Sequence, residues 1–103
     1  MTLDELKNLL LTVTPDTYHY EAFQKPDQYI VWAEYGTNKL SADSRYPETA
    51  WRVQVDYFTK TEFDPNVARI DTVLDTDEVS YDYLVDYEDD TGYIHHIWDC
   101  EVA

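Results

Sequence analysis

The chain is short, strongly acidic and nearly free of cysteine. Its 103 residues fit a single domain, 1–103, that is large enough to bury a core without disulfides. Against 22 acids there are seven bases, and the formal charge of −15 repels phosphate backbones, so we expect no direct binding to nucleic acid. The lone Cys100 excludes an intramolecular disulfide and favours folding inside the cell. Without a long apolar run or a basic, then apolar N-terminus, neither a membrane span nor a signal peptide is predicted.

The first predicted element is a capped amphipathic helix from Thr2 to about Val13. Thr2 and Glu5 form a T-x-x-E capping box, and leucines recur at helical spacing behind it. Thr14-Pro15-Asp16 ends this helix. A short aromatic stretch, Thr17–Ala22, then predicts a first strand with Tyr18 and Tyr20 on one face and His19 on the other.

A second strand and a long loop are predicted next. Tyr29–Tyr35 is a nearly continuous apolar run, typical of a strand covered on both faces. Gly36–Glu48 lacks a sustained period and collects Gly, Asn, Ser, Asp and Pro, which predicts a loop. Loops of this length in compact domains are usually functional.

The centre of the chain predicts a strand followed by a helix. From Ala50, apolar residues alternate with polar ones over AWRVQVDYFT. Asp64-Pro65 is a helix start, because Asp caps backbone N–H groups and Pro at the first position needs no donor. The apolar phases of these and the other elements predict a core that includes Trp32, Trp51, Val53, Val55, Ile70, Leu74, Ile94 and Trp98.

The last third predicts a hairpin. Val79–Tyr87 alternates, Asp89-Asp90-Thr91-Gly92 forms the connection, and Tyr93–Val102 returns. The element order is therefore α-β-β-(loop)-β-α-β-β. It predicts an α+β fold with a single, mainly antiparallel sheet and two helices on one face.

No residue pattern predicts a reaction or a metal site. His95 and His96 point to opposite faces of a strand, and Cys100 is too far along it to share a zinc ion with His96. The acids around the hairpin lack the spacing of a calcium loop, so a solvated turn is the better interpretation. We expect no enzyme activity and no cofactor.

Tyrosine is in excess, with ten residues in the chain. Tyr81, Tyr83 and Tyr87 share one face of a predicted strand. Such tyrosines serve either core packing or an interface, and packing is the interpretation favoured here. A sheet edge near the chain end is expected to be open for pairing with another subunit.

Several stretches resemble a family of small tail-component proteins from the head-to-tail joining region of tailed phages and Gram-positive prophages. They are YIVWAEYG, a following loop with SAD, DYFTKTEFDP and YEDDTGYIHHIW, and the resemblance covers most of residues 17–98. The element order is also similar to that of the tail terminator proteins of long, non-contractile tails.

The resemblance implies a structural role in virion assembly. Subunits would form a ring, commonly a hexamer, that caps the tail tube and offers a surface to the head connector. The protein would be assembled in the host cytoplasm and reside in the virion tail. From the loop and hairpin predictions we expect the contacts to involve Lys39, Arg45, Tyr46, Glu88, Asp89 and Asp90.

The charge distribution leaves a second hypothesis open. All seven bases lie at or before Arg69, so the last third carries acids alone. An acidic inhibitor that imitates nucleic acid and occupies the groove of a basic host protein would show the same imbalance. In that case Asp82, Asp86, Glu88, Asp89, Asp90, Asp99 and Glu101 should form one continuous stripe.

Overall fold

A computed structural model describes residues 1–39 and 49–103 as two helices and one five-stranded sheet. The fold is α+β. The elements in chain order are α1 (Leu3–Leu11), β1 (Thr17–His19), β2 (Gln28–Lys39), β3 (Thr49–Thr59), α2 (Pro65–Leu74), β4 (Val79–Tyr87) and β5 (Ile94–Val102). Among the described residues, neither helix is long and apolar enough to cross a membrane.

The helix starts follow from the predicted caps. The Thr2 hydroxyl accepts the Glu5 N–H at 3.0 Å, and Asp64 accepts the Asn66 N–H at 2.9 Å. Each cap replaces a hydrogen bond that the first turn of a helix lacks. These local interactions fix both helices within one or two residues of their predicted starts.

The strand order is β1-β2-β3-β5-β4. The β2–β3, β3–β5 and β4–β5 pairs are antiparallel, whereas β1 pairs with β2 in parallel. The sheet is thus mainly antiparallel, as predicted. The terminal hairpin places β5 inside the sheet and leaves β4 at one edge.

Both helices pack on the same face of the sheet. The shared core combines leucine and isoleucine from the helices with alternate residues of the three inner strands, namely Leu6, Leu10, Ile30, Trp32, Val53, Val55, Tyr57, Ile70, Leu74, Trp98, Cys100 and Val102. We call the opposite side of the sheet, which carries Arg52, Gln54, Asp56, Asp82, Leu84, Asp86, Ile97, Asp99 and Glu101, the open face.

Two strand boundaries differ from the prediction. Gly36–Lys39 continues β2 rather than opening a loop, because a bulge at Tyr35 lets the pairing resume at Gly36–Arg52. β1 ends at His19 because Tyr20 adopts a left-handed conformation, with φ of 70°. The His19 ring consequently stacks on the Tyr20 ring, so the predicted alternation of these two side chains is wrong. The rest of the predicted loop, 40–48, lies outside the described residues.

The predicted core is correct except at its margins. Trp51 is 39% exposed. It lies between Thr37 of β2, which is also exposed, and Val102 of β5, which is buried, so only one of its two neighbours in the sheet belongs to the core. Ile94 is only partly buried, at the first position of β5. Core packing is therefore concentrated in the middle of β3 and the second half of β5.

Candidate functional site

The predicted interface residues are divided between the two ends of the sheet. Lys39 ends β2, whereas Glu88, Asp89 and Asp90 follow β4 at the hairpin tip. Arg45 and Tyr46 lie outside the described residues. The register places Gln28, Thr59, Tyr87 and Ile94 in one row, so the tip lies beside the start of β2 and far from Lys39. We call these the hairpin end (residues 25–27, 60–64 and 88–93) and the Lys39 end.

The hairpin turn forms as its sequence predicts. Gly92 has φ of 76°, the left-handed conformation that glycine adopts without steric cost. Its N–H donates to the Glu88 carbonyl at 2.8 Å, and the Thr91 hydroxyl donates to the Glu88 carboxylate at 2.9 Å. Asp89 and Asp90 are exposed at the tip. The tip therefore presents acids on a defined turn.

Two phenylalanines outside the strands are almost fully exposed. Phe23 is 88% exposed between β1 and β2, and Phe63 is 92% exposed just before α2. Phe63 precedes the N-cap Asp64, where an apolar residue commonly packs against the fourth helical residue. That residue is Ala68, too small to cover the ring. Neither residue was predicted as a contact from the sequence, although each stands alone in a turn outside the periodic segments.

Five large apolar side chains are exposed along the β4 edge. Tyr81, Tyr83, Leu84, Val85 and Tyr87 are between 36% and 61% exposed. The favoured interpretation of these tyrosines as packing residues holds only in part, because Tyr83 packs against Trp98 across the strands, whereas Tyr87 is 59% exposed at the sheet edge. Exposed apolar side chains along an edge strand are typical of interaction surfaces.

Hydrogen bonds hold two of the edge tyrosines in place. The Tyr81 hydroxyl donates to Asp71 at 3.2 Å, and the Tyr83 hydroxyl lies 2.6 Å from Nδ1 of His96. Burial lowers the pKa of His96, which favours the neutral imidazole and lets Nδ1 accept the Tyr83 proton. The Asp71 carboxylate also accepts the indole N–H of Trp98 at 2.8 Å. The edge is thereby anchored to the core and to α2.

Acids from β4 and β5 meet on the open face, but in two groups. At the Lys39 end Asp82 lies opposite Asp99, and Glu101 follows. Towards the hairpin end Asp86 lies opposite His95. The apolar pair Leu84–Ile97 separates the two groups. The continuous acidic stripe expected of a nucleic-acid mimic is thus interrupted by an apolar row.

A groove of about 250 Å³ surrounds the first acidic group. The bulge directs Tyr35 towards it, where its hydroxyl donates to Asp99 at 2.5 Å. Asn38 donates to Glu101 at 2.7 Å, and the Arg52 guanidinium lies 4.9 Å from the centre of the Tyr35 ring. These neutral donors and the single cation partly offset the repulsion between the acids.

The histidines and the cysteine are arranged as strand geometry predicts. Nε2 of His95 contacts Asp56 at 2.8 Å on the open face, whereas His96 contacts Tyr83 on the helix side. Cys100 is buried, and burial raises the pKa of its thiol to about 12. Among the described residues, no three His, Cys, Asp or Glu side chains come together in a way that could hold a metal ion.

The described residues present three kinds of candidate contact surface. These surfaces are the β4 edge, the acidic groove and the two ends of the sheet. Comparison of the chain with protein-family models gave no match, and comparison with curated proteins gave no significant match.

Proposed function

We propose that this protein is a non-catalytic assembly component, and that it acts as a tail terminator or head-tail joining protein of a tailed phage. The observation that carries the assembly role is the β4 edge, a nine-residue strand with large exposed apolar side chains. Edge strands of this kind gain backbone hydrogen bonds when another chain pairs with their open side. The phage assignment rests on the sequence resemblance.

The two ends of the sheet support a component that joins two different structures. The hairpin end presents Phe63 and the acidic tip, and Lys39 ends β2 at the opposite end of the sheet. A ring that closes a tube needs one surface for the tube and another for the connector. The opposite ends of one sheet can provide two such surfaces.

Charge sets the conditions for forming a ring of identical subunits, which we propose to be a hexamer. Subunits that each carry a formal −15 repel one another, and salt at about 0.15 M reduces the range of that repulsion to roughly 8 Å. We expect a monomer at low salt and a ring at higher salt, measured by analytical sedimentation. A tight oligomer that is insensitive to salt would contradict this explanation.

The position of the gene and a tube assay test the phage role. A terminator gene should lie between those for connector and tail-tube proteins. Tubes polymerised from the neighbouring tube protein should stop growing when this protein is added, as seen by electron microscopy. Tubes of unchanged length, with no density at their ends, would refute the terminator function.

The acids of the open face favour one second candidate, an inhibitor that imitates nucleic acid. Asp82, Asp86, Asp99 and Glu101 all project from this face. The Leu84–Ile97 row between them is unlike a phosphate backbone, so we rank this function second. Release of a basic host protein from its DNA by this chain, and loss of that release when the four acids become amides, would reverse the ranking.

A further inference from the structure

The backbone of the β4 edge has a defined set of free hydrogen-bonding groups. Glu88 donates its N–H to the Tyr93 carbonyl at 2.9 Å, and Ala103 donates to the Glu78 carbonyl at 2.7 Å. With the observed register, the even-numbered residues of β4 therefore bond to β5. The odd-numbered ones, Tyr81, Tyr83, Val85 and Tyr87, direct their N–H and C=O groups outwards. Within 1–39 and 49–103, no strand pairs with this side.

The side chains of β4 form two different rows. The outward-bonding residues carry three tyrosines and Val85 on the helix side, all at least 36% exposed. The even-numbered row on the open face reads Asp82, Leu84, Asp86, an apolar residue between two exposed acids. An added strand would therefore meet apolar surface on one side and alternating charge on the other.

The edge has few of the usual features that prevent pairing. The β4 sequence, VSYDYLVDY, contains no Lys and no Pro, and its nine pairs with β5 show no bulge. Its only deterrents are Asp82 and Asp86. These acids repel an acidic strand and attract a basic one.

We propose that the β4 edge accepts an extended basic segment of a different protein as a sixth strand, an inference that rests on the proposed assembly function. In an antiparallel addition the even-numbered residues form non-hydrogen-bonded pairs, in which opposing side chains are closest. Bases should therefore oppose Asp82 and Asp86, with an apolar residue opposite Leu84. The recognised pattern in this antiparallel pairing is basic–apolar–apolar–apolar–basic.

A second copy of this chain does not supply that segment. Its seven bases are Lys7, Lys25, Lys39, Arg45, Arg52, Lys60 and Arg69, and no two of them are four residues apart. The last third, which contains β4 and β5, has no Lys or Arg. Charge complementarity therefore selects a basic partner over a neighbouring acidic subunit.

Fluorescence anisotropy with labelled synthetic peptides tests the proposal. The probe is acetyl-Thr-Val-Lys-Val-Val-Val-Lys-Val-Thr-amide, measured against the same peptide with both lysines replaced by glutamate, at about 0.05 M NaCl. We expect the lysine peptide to bind roughly tenfold more tightly. Equal binding of the two peptides would overturn the proposal.

Two backbone-modified probes test strand addition. The probe has three consecutive valines between its lysines. N-methylation of the first and third of these valines removes N–H groups that point to β4, and should abolish binding. N-methylation of the two lysines removes N–H groups that point away and should be tolerated. Amide exchange should slow at Tyr81, Tyr83, Val85 and Tyr87 in the complex. Strand pairing would be contradicted if both methylated peptides bound equally well, or if amide exchange at these four residues did not slow.

Charge reversal on the protein locates the contact. Asp82→Lys with Asp86→Lys should reverse the preference, so that the glutamate peptide binds better. Asp89→Lys with Asp90→Lys makes the same change in net charge at the hairpin tip and should leave the preference intact. If both double variants behave alike, overall charge rather than the edge governs binding and the proposal fails.

A proline variant separates this inference from self-association. The Val85 N–H faces outwards, so Val85→Pro removes a donor to the partner without removing a bond to β5. Sedimentation that shows a dimer lost in this variant would assign the edge to a second copy and overturn the proposal.

If tubes are capped while the lysine peptide fails to bind, only this inference is wrong. If the peptide binds but tube length is unaffected, only the proposed function is wrong.

Discussion

Asp64 joins α2 to the sheet, and its removal should cost a large part of the stability. Its Oδ2 accepts hydrogen bonds from the hydroxyls of Tyr57 at 2.6 Å and Thr59 at 2.7 Å, and from the Gln28 amide at 2.8 Å. Its Oδ1 accepts the Asn66 N–H at 2.9 Å as the cap of α2. Tyr57 and Thr59 are fully buried, so their hydroxyls have no access to water as a substitute.

Asp64→Ala removes the cap and leaves both buried hydroxyls without their acceptor. Loss of a cap typically costs about 1 kcal/mol, and each unsatisfied buried donor costs roughly 1–3 kcal/mol. We expect the free energy of unfolding to fall by roughly 3–7 kcal/mol. Domains of this size have about 5–15 kcal/mol in total, so the variant should be close to unfolding.

Urea unfolding followed by tryptophan fluorescence measures this loss, because Trp32 and Trp98 are both buried. The matched control is Asp89→Ala, which removes the same carboxylate from the exposed hairpin tip and should change stability by less than about 0.5 kcal/mol. A loss below about 1 kcal/mol for Asp64→Ala would show that the network is not maintained in solution.

The isosteric variant Asp64→Asn adds a pH test. Burial alone would raise the pKa of Asp64, but the hydrogen bonds from Tyr57, Asn66, Thr59 and Gln28 outweigh it and lower the pKa. A carboxyl with a lowered folded-state pKa stabilises the protein above its unfolded pKa of about 3.9, and this contribution is lost as pH falls through the folded value. The stability gap between parent and Asp64→Asn should therefore narrow below about pH 4. If the difference in unfolding free energy between the two proteins stayed constant from neutral pH to below about pH 4, the lowered pKa of Asp64 would be refuted.

Three further predictions concern single residues. Trp98→Ala should cost about 3–5 kcal/mol because Trp98 is fully buried, whereas Trp51→Ala should cost less than half as much because Trp51 is 39% exposed; equal losses in urea unfolding would contradict the observed burial. Cys100 should react with a thiol reagent at pH 8 only after unfolding, since burial raises its pKa to about 12; rapid native-state labelling would show that the thiol is accessible. Gly92→Ala should destabilise the hairpin by roughly 1–2 kcal/mol because φ at this position is 76°; a neutral effect on the melting temperature would show that the turn relaxes.

The sequence by itself determined the local structure. Thr2, Asp64-Pro65 and Gly92 specify helix starts and a turn through contacts with residues a few positions away, so their effects can be inferred without the rest of the fold. The alternation of β3 predicted its buried face. The turn predicted around Gly92 also placed the acids Glu88–Asp90 at the hairpin tip. Arg45 and Tyr46, the other part of the predicted interface, lie outside the described residues and stay predictions.

Only the tertiary structure decided which strand lies at the edge. The alternation in β4 is equally compatible with a half-buried inner strand, because a period of two reports one covered face and says nothing about neighbours. The order β1-β2-β3-β5-β4 leaves Tyr83 and Leu84 exposed, and the bulge at Tyr35 extends β2 through Gly36. These features depend on pairing between residues far apart in the chain, and such pairing is settled by packing of the whole sheet rather than by local sequence.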